Sequence, residues 1–399
     1  MKKHKQVKVF KGPIYYFIKF LLIIIARLVF KYKNKAHYKI KKGESVVIIS
    51  NHQTDYDAIL INLSFNKILR TITTDNLFKT GFTTWVIKKF GCFPKRKGAM
   101  DINSNMELLR FARHHEPILF FPEGNRTYAE FQYYVSEGIG KTIKILKSTL
   151  IIFNIHGGTG RYPRFGGKAR KGNFYGEIVK VMPNEEYKDM DDLELSRLII
   201  DSIRVYDSES GELFKSKAKA EYLERMFFVC PKCGKHSTLK SSGDIIECTS
   251  CGLKVKMNEN LSLSSEDSSF KYNRFLDWYN YQIRWVNDLK INPKEKIFED
   301  EDVRFRTSNP NEKSKILYRG KMVLYEDKLT FGDIVFNVSD IAQASPVSGR
   351  KLIFTVDNMS YEVKGNERFN PLKYVFLFNK LETKMKLNKI DNYYPLIEQ

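Results

Sequence analysis

Cysteine is scarce in this chain: there are five in 399 residues, Cys92, Cys230, Cys233, Cys248 and Cys251. Four fall into two C-x-x-C pairs and Cys92 stands alone, which favours a metal in a reducing compartment over a disulfide framework. Acids are also short, with 46 Asp and Glu against 67 Lys and Arg, leaving a formal net charge of +21 and a pI of about 9.5. Such a surplus suggests an anionic partner, whether lipid headgroups, coenzyme A phosphates or nucleic acid, with solubility alone as the alternative. A long unbroken apolar run is also missing, which weighs against a bilayer-spanning helix. Residues 14–30 are the most apolar stretch, but Lys19 and Arg27 interrupt it, and the unbroken core Phe20–Ala26 is too short. No small-residue cleavage site follows it, which argues against a signal peptide. No internal repeat is evident. The length suits two or three domains, and 42% hydrophobic with 28% charged residues suits globular structure.

Residues 1–12 carry five lysines and no acid. On a helix, Lys19 and Arg27 are eight residues apart and share one side, leaving the rest of the circumference apolar. That geometry favours a helix lying in a membrane interface with its basic side on anionic headgroups. A spanning helix and a soluble core helix are the alternatives.

The stretch around which the chain is organised begins with Val46–Ser50, an apolar run that reads as a buried strand. Asn51 and His52 stand where the strand ends. Asp55, Tyr56 and Asp57 then lead into Ala58–Leu63, which starts a helix with an acidic first turn. Imidazole titrates near neutrality, so His52 can take a proton from a hydroxyl. A carboxylate five residues on, Asp57, can accept from the other ring nitrogen and hold the tautomer. The nucleophile of a hydrolase triad is missing, which leaves that role to a substrate hydroxyl. A second buried strand, Ile118–Phe121, runs into Pro122–Thr127. There Gly124 lets the backbone approach a ligand, and exposed amides at such a turn bind anions.

Asn-His-x4-Asp at residues 51–57 and Phe-Pro-Glu-Gly-Asn-Arg-Thr at 121–127, about seventy residues apart, resemble the glycerolipid acyltransferase family. Its best known members are the lysophosphatidic acid acyltransferases, and the resemblance covers roughly residues 10–200. It implies an α/β domain that moves an acyl chain from a thioester, acyl-CoA or acyl-carrier protein, to the free hydroxyl of a lysophospholipid. The first expected acceptor is 1-acylglycerol-3-phosphate, giving phosphatidic acid. His52 would be the base and Asp57 its holder, with no catalytic cofactor. Glu123, Gly124, Asn125, Arg126 and Thr127 would meet the acceptor. Glu123 has two compatible readings, as a ligand of acceptor hydroxyls or as a partner of Arg126. The family's glycine, aromatic and arginine fall at Gly91–Gly98, where either Arg96 or Lys97 would contact the acceptor phosphate. The resemblance also implies membrane association, expected at the cytoplasmic face.

The family's proline-containing motif is absent after Leu150–Phe153. In its place stand His156, several glycines, and Arg161, Arg164, Lys168, Arg170 and Lys171. This reads as a cationic loop, either facing coenzyme A phosphates or lipid, or simply solvated. His156 ranks below His52 because no carboxylate follows it at useful spacing.

Cys230-Pro-Lys-Cys233-Gly and Cys248-Thr-Ser-Cys251-Gly form two knuckles, each offering two thiolates. Together they suit a closed tetrahedral site for structural zinc, with no open position for catalysis; a redox dithiol is the alternative, but two pairs within 22 residues fit a ribbon better. Residues 258–270 read as a Ser-rich linker. Phe275, Trp278, Tyr279, Trp285, Val286 and Leu289 recur at helical spacing as a docking face. Residues 292–315 read as charged and irregular. From 316 the period changes to two, with a closing helix at 370–382, resembling a pleckstrin-homology-like or related small barrel.

The expected order is thus a basic N-terminus with membrane-associated helix (1–35) and an acyltransferase-type α/β domain (36–222). A zinc ribbon (226–258), an amphipathic helix (268–291) and a β-rich domain (292–390) follow. The expected partners are an anionic bilayer, a lysophospholipid and an acyl thioester. Two other classes compete. A zinc-ribbon nucleic-acid-binding protein fits the charge and the ribbon but leaves the His52 and Glu123 motifs unexplained, so nucleic acid is the disfavoured partner. A catalytically silent lipid-binding adaptor is the other.

Overall fold

Val46–Ser50 shows no polar alternation because it becomes a strand covered on both faces, with all five residues buried. It is the central strand of one of the two compact units into which the chain divides. The computed structural model describes residues 9, 12–74, 82–95, 102–128, 130, 132, 135–292, 294–309, 312–357 and 359–385. The five lysines of residues 1–12 and the end of the expected β-rich range, 386–390, lie outside the described residues.

The first unit comprises Met1–Thr127, Phe131–Arg161 and Gly172–Asp207. Its elements begin with α1 (Pro13–Leu28), β1 (Lys33–Asn34), β2 (Val46–Ser50), α2 (Asp57–Ser64) and β3 (Arg70–Thr74). Then come α3 (Phe82–Lys89), β4 (Cys92–Lys95), α4 (Ile102–Arg113), β5 (Ile118–Phe120) and α5 (Ile139–Leu146). The unit closes with β6 (Thr149–His156), the single turn α6 (Gly158–Arg161), β7 (Tyr175–Met182), the short α7 (Asn184–Tyr187) and α8 (Asp192–Ser202). The seven strands form one sheet in the order β1-β7-β6-β2-β5-β3-β4. β2 pairs in parallel with both β5 and β6, whereas β7 runs antiparallel to β6. Val47, Ile49, Ile118, Leu150 and Ile152 from the sheet share a core with Ile139, Ile143, Leu195 and Ile199 from the helices. The loops after β2 and β5 leave the carboxyl ends of neighbouring parallel strands, where open α/β sheets hold their ligands.

α1 differs in one respect from the helix expected of residues 14–30. Lys19 is turned onto the protein, its Nζ donating to the Phe65 carbonyl, and burial holds its ammonium below the usual range. Tyr15, Ile18 and Leu22 pack with Phe90 and Ile68 on that side. The outward face carries Ile14, Phe17, Phe20, Leu21, Leu28 and Val29, all exposed. Lys19 is therefore not part of a basic headgroup-facing side; the exposed side is apolar apart from Arg27. Sixteen residues make a helix of about 24 Å, short of a bilayer core of about 30 Å. Among the described residues no helix is long and apolar enough to cross a membrane.

The second unit comprises Tyr128–Glu130, Tyr162–Lys171 and Ser208–Gln399. Its first sheet holds β8 (Leu239–Ser242), β9 (Ile245–Cys248), β10 (Lys254–Met257) and β11 (Leu263–Ser264) in the order β11-β10-β9-β8. The segment expected to be a linker, 258–270, supplies β11, and Asp267 within it pairs with Lys232 at 2.7 Å. α9 (Phe275–Asp288) follows, its apolar stripe turned inward as a docking face. Phe275, Trp278, Tyr279 and Val286 are buried, and the Trp278 ring stacks on Phe227 at 4.1 Å.

The third sheet contains β12 (Phe298–Thr307), β13 (Ile316–Leu324), β14 (Lys328–Phe331), β15 (Ile334–Asn337), β16 (Ala342–Val347), β17 (Lys351–Val356) and β18 (Met359–Lys364). All its pairings are antiparallel, in the order β15-β14-β13-β12-β18-β17-β16. α10 (Leu372–Met385) is the last described element and packs on β16. This is the small β-rich fold with a closing helix that the period-two pattern implies. The largest departure is β12. Residues 292–315 read as irregular, yet they contain the ten-residue strand at the sheet's centre. Its apolar residues are few, but Phe298, Val303 and Phe305 are almost wholly buried.

Candidate active site and metal centre

The site is built on the carboxyl end of β2. Asn51 forms a two-way amide bridge to β6: its Nδ2 donates to the Ile155 carbonyl at 2.9 Å, and its Oδ1 accepts from Ile155 N at 2.8 Å. That bridge fixes where the strand stops and aims the next residue out of the sheet. His52 Nδ1 then lies 3.0 Å from Asp57 Oδ2. Asp57 is fully buried in the first turn of α2. Its Oδ2 also accepts from Gln53 N at 2.6 Å and Thr54 N at 2.8 Å, and its Oδ1 accepts from the Thr54 hydroxyl. A carboxylate ringed by donors is held in one place and presents acceptor oxygens to the ring. It therefore fixes the proton on Nδ1 and leaves the Nε2 lone pair for chemistry. The imidazole also stacks on Phe121, with ring centres 4.2 Å apart and planes 20° apart, and its side chain remains about one-quarter exposed.

The second motif is tied to the first through the backbone. His52 N donates to Glu123 Oε1 at 3.0 Å, and Thr127 N donates to the His52 carbonyl at 2.8 Å. Glu123 is buried, and its carboxylate holds the backbone of residue 52. Arg126 pairs with Asp55 at 2.7 Å, which links the turn to the start of α2. Gly124 has a φ of +64° with nothing within 4 Å of where a Cβ would sit, so the left-handed backbone itself demands glycine. Asn125 Oδ1 accepts from Arg126 N at 3.0 Å. Glu123, Gly124, Asn125, Arg126 and Thr127 are thus gathered beside His52. Arg96 and Lys97 lie outside the described residues.

A third loop, after β6, carries residues that spacing alone does not connect. Asp207 is fully buried and accepts from Gly157 N at 2.8 Å and Gly160 N at 3.0 Å. Burial pushes its carboxyl above the usual range, against the pull of those bonds. Gln53, next to His52, accepts from Gly158 N at 2.8 Å and donates to Asp207 at 3.4 Å. His156 gains the carboxylate that its own loop does not supply: Glu177 on β7 lies 3.1 Å from its Nε2. Burial holds this imidazole below its usual range, and its ring stacks on Tyr175.

The cationic loop expected over residues 161–171 is largely spent on structure. Arg161 donates to the Gly172 carbonyl at 3.0 Å. Arg164 donates to Pro346 O at 2.5 Å and Arg170 to Lys219 O at 2.5 Å. All three arginines are buried, and burial pulls Arg170 down to about 9. Only Lys168 and Lys171 of that set are exposed.

In the second unit the four cysteine sulfurs lie within 4.8 Å of one another. Cys230 and Cys251 are 3.6 Å apart, and Cys233 and Cys248 are 3.8 Å apart. Zinc–thiolate bonds of about 2.3 Å in a tetrahedron put the sulfurs about 3.8 Å from each other, so these residues fit a zinc ion. Each knuckle is closed the same way: Gly234 N donates to the Cys230 carbonyl and Gly252 N to the Cys248 carbonyl, both at 2.9 Å. Bound zinc would supply a tetrahedral cross-link. Cys92 stands apart in β4, and burial pushes its thiol up to about 12, so it stays protonated.

Comparison with known proteins agrees with this division. Residues 31–153 match the family model described as Acyltransferase. This segment is an acyltransferase-family domain. The His52–Asp57 and Glu123–Thr127 loops both fall inside it. Residues 223–259 match a zinc-ribbon model described as DNA directed RNA polymerase, 7 kDa subunit. Similar solved structures include "Crystal Structure of the 1-acyl-sn-glycerophosphate (LPA) acyltransferase, PlsC, from Thermotoga maritima". It is 14% identical with a TM-score of 0.40, over 47% of this chain and 79% of that one. The search of curated proteins gives no match.

Proposed function

We propose that this acyltransferase moves an acyl chain from a thioester, carried on coenzyme A or acyl-carrier protein, to the free hydroxyl of a lysophospholipid. The narrowest form of the reading is 1-acylglycerol-3-phosphate as acceptor and phosphatidic acid as product. The observation that carries it is the His52–Asp57 pair at the end of β2, bonded through its backbone to the Glu123–Thr127 turn at the end of β5. His52 Nε2 removes the hydroxyl proton as the oxygen attacks the thioester carbonyl. Asp57 holds the imidazolium that forms. Collapse of the tetrahedral intermediate expels the thiolate, which takes the proton back from Nε2. No acyl-enzyme is formed, so initial-rate patterns should show both substrates bound together. Thiol release from acyl-CoA that requires added lysophospholipid supports the reading; release at the same rate without acceptor overturns it.

Arg126 is the cation of the turn, and we assign it to the acceptor phosphate. Arg126→Ala is expected to raise the KM for the lysophospholipid about tenfold or more, since a hydrogen bond to a charged group contributes roughly 1.5–3 kcal/mol. The KM for the acyl donor should change little. Equal changes in both constants would mean that Arg126 only steadies Asp55 and the start of α2.

The acceptor is a membrane lipid, and we propose that the protein works at the cytoplasmic face with α1 lying in the interface. Support comes from the exposed apolar side of α1. Phe17, Phe20 and Leu21, replaced together by serine, should weaken partition onto lipid vesicles at least about tenfold, because each such side chain is worth about 1.5 kcal/mol or more when buried. Sedimentation indistinguishable from the parent protein would remove α1 as the anchor.

A further inference from the structure

The outer face of the β-rich fold carries a row of like charges that its pairing register lays side by side. Arg319 on β13 stands opposite Arg304 on β12. Arg304 stands opposite Lys364 on β18, and Lys364 opposite Lys351 on β17. Four adjacent strands thus place four cations in one transverse line. Strands are spaced about 4.8 Å apart, so the line is about 14 Å long. Directly opposed like charges weaken a sheet. Arg350 and Arg306 flank the row. Repulsion from Arg350 first, then burial, then Lys351, Arg304 and Arg306, holds the Lys364 ammonium below its usual range.

The acids of β12 lie beside the row and are mostly engaged: Glu299 and Glu301 pair with Lys321 and Asp300 with Lys373, while exposed Asp302 precedes Arg304 by two residues. Glu362 is buried and is shared by Arg306 and Lys351. Among the described residues, Arg304, Arg319, Arg350 and Lys364 have no carboxylate partner. Arg304 and Arg319 are exposed, and Lys364 and Lys351 are partly buried. At the start of β13, beside Arg319, Ile316 and Leu317 are exposed at 48% and 43%. A cationic line ending in apolar side chains matches a surface that is anionic on the outside and apolar just beneath. A nucleic-acid backbone would use the charges but has no place for Ile316 and Leu317.

We propose that the Arg319–Arg304–Lys364–Lys351 row is a docking surface for an anionic phospholipid bilayer, with Ile316 and Leu317 entering the headgroup layer. The surface belongs to the second unit and is independent of the acyl-transfer reading. Each cation near an anionic leaflet strengthens partition about fivefold.

The experiment uses the full chain with Arg304→Gln and Lys364→Gln combined, on vesicles of phosphatidylcholine containing about 30% phosphatidylglycerol. Partition should weaken about thirtyfold relative to the parent. On pure phosphatidylcholine vesicles the two proteins should bind alike, unlike the α1 variant, which loses both. The parent's binding should also fall as salt screens the row. Because opposed cations are removed, Tm should hold or rise, whereas a structural role would lower it. If Tm falls, Arg319→Gln at the exposed end of the row decides, with about fivefold weaker partition expected. Unchanged partition on anionic vesicles, or equal loss on neutral ones, overturns the proposal. Loss of single-stranded oligonucleotide binding with vesicle binding intact would assign the row to nucleic acid instead. Acyl transfer to a water-soluble short-chain lysophospholipid should be the same in parent and variant. Failure of the docking surface and failure of the acyltransferase reading are therefore read separately.

Discussion

His52→Ala is expected to lower the acyl-transfer rate about 10²–10⁴-fold, the range a positioned general base supplies. The fold should survive. The imidazole is partly exposed, and the contacts that join the two motif loops run through the backbone of residue 52, which alanine keeps. What is lost is the proton acceptor and the stacking on Phe121. Asp57→Asn should be milder in rate but worse in stability. Gln53 N, Thr54 N, the Thr54 hydroxyl and His52 Nδ1 all converge on that carboxylate. An amide has one acceptor oxygen and brings two donors, so at least one of those groups would face another donor. Leaving a buried donor unpaired costs about 1–3 kcal/mol. Rates from thiol release, together with melting curves for both variants, check this: His52→Ala should melt like the parent, and Asp57→Asn should melt lower. Normal turnover by folded His52→Ala would remove His52 as the base.

The second large effect concerns the four thiolates. Cys248→Ser combined with Cys251→Ser is expected to unfold residues 226–258, and purified parent protein should carry close to one zinc per chain. Strands β8 to β11 are only two to four residues long. Structural zinc in small ribbons contributes roughly 10–16 kcal/mol, comparable to the whole stability of a domain. The loss should reach α9. Gln282 accepts from Phe228 N and Val229 N, and Trp278 Nε1 donates to Val229 O at 3.0 Å, all just before the first knuckle. Limited proteolysis should therefore open both the ribbon and the 275–288 helix in the double variant. A parent protein prepared without chelator and containing no zinc would refute the metal centre. A variant ribbon as protected as the parent's would show that the cysteines do not organise the segment.

Both effects rest on features that were legible locally. A strand, a short loop and a helix start place His52 and Asp57 within hydrogen-bond reach whatever the rest of the fold does. A C-x-x-C-Gly knuckle closes on its own backbone. Other features were hidden because their partners are distant in sequence. His156 lacked a carboxylate in its own loop, and Glu177 reaches it only because β7 returns antiparallel to β6. Asp207 lies 47 or more residues beyond the glycines it holds and 154 beyond Gln53. β12 was masked by its charges, since a strand whose outward side chains are ionic shows too few apolar positions to reveal period two.

The sequence by itself determined which residues meet at the two centres: a histidine with its carboxylate, a glycine turn beside it, and four cysteines in paired knuckles. These depend on backbone geometry over a handful of residues, which spacing encodes. Only the tertiary structure decided which charges are available to a partner. Lys19 was turned from the expected headgroup side onto the Phe65 carbonyl, and Arg161, Arg164 and Arg170 were withdrawn from solvent to hold backbone carbonyls. Conversely, strand register brought Arg319, Arg304, Lys364 and Lys351 into one line. Composition counts charges, but a charge acts through its neighbours and its exposure, and those are set by which elements pack together and in what register.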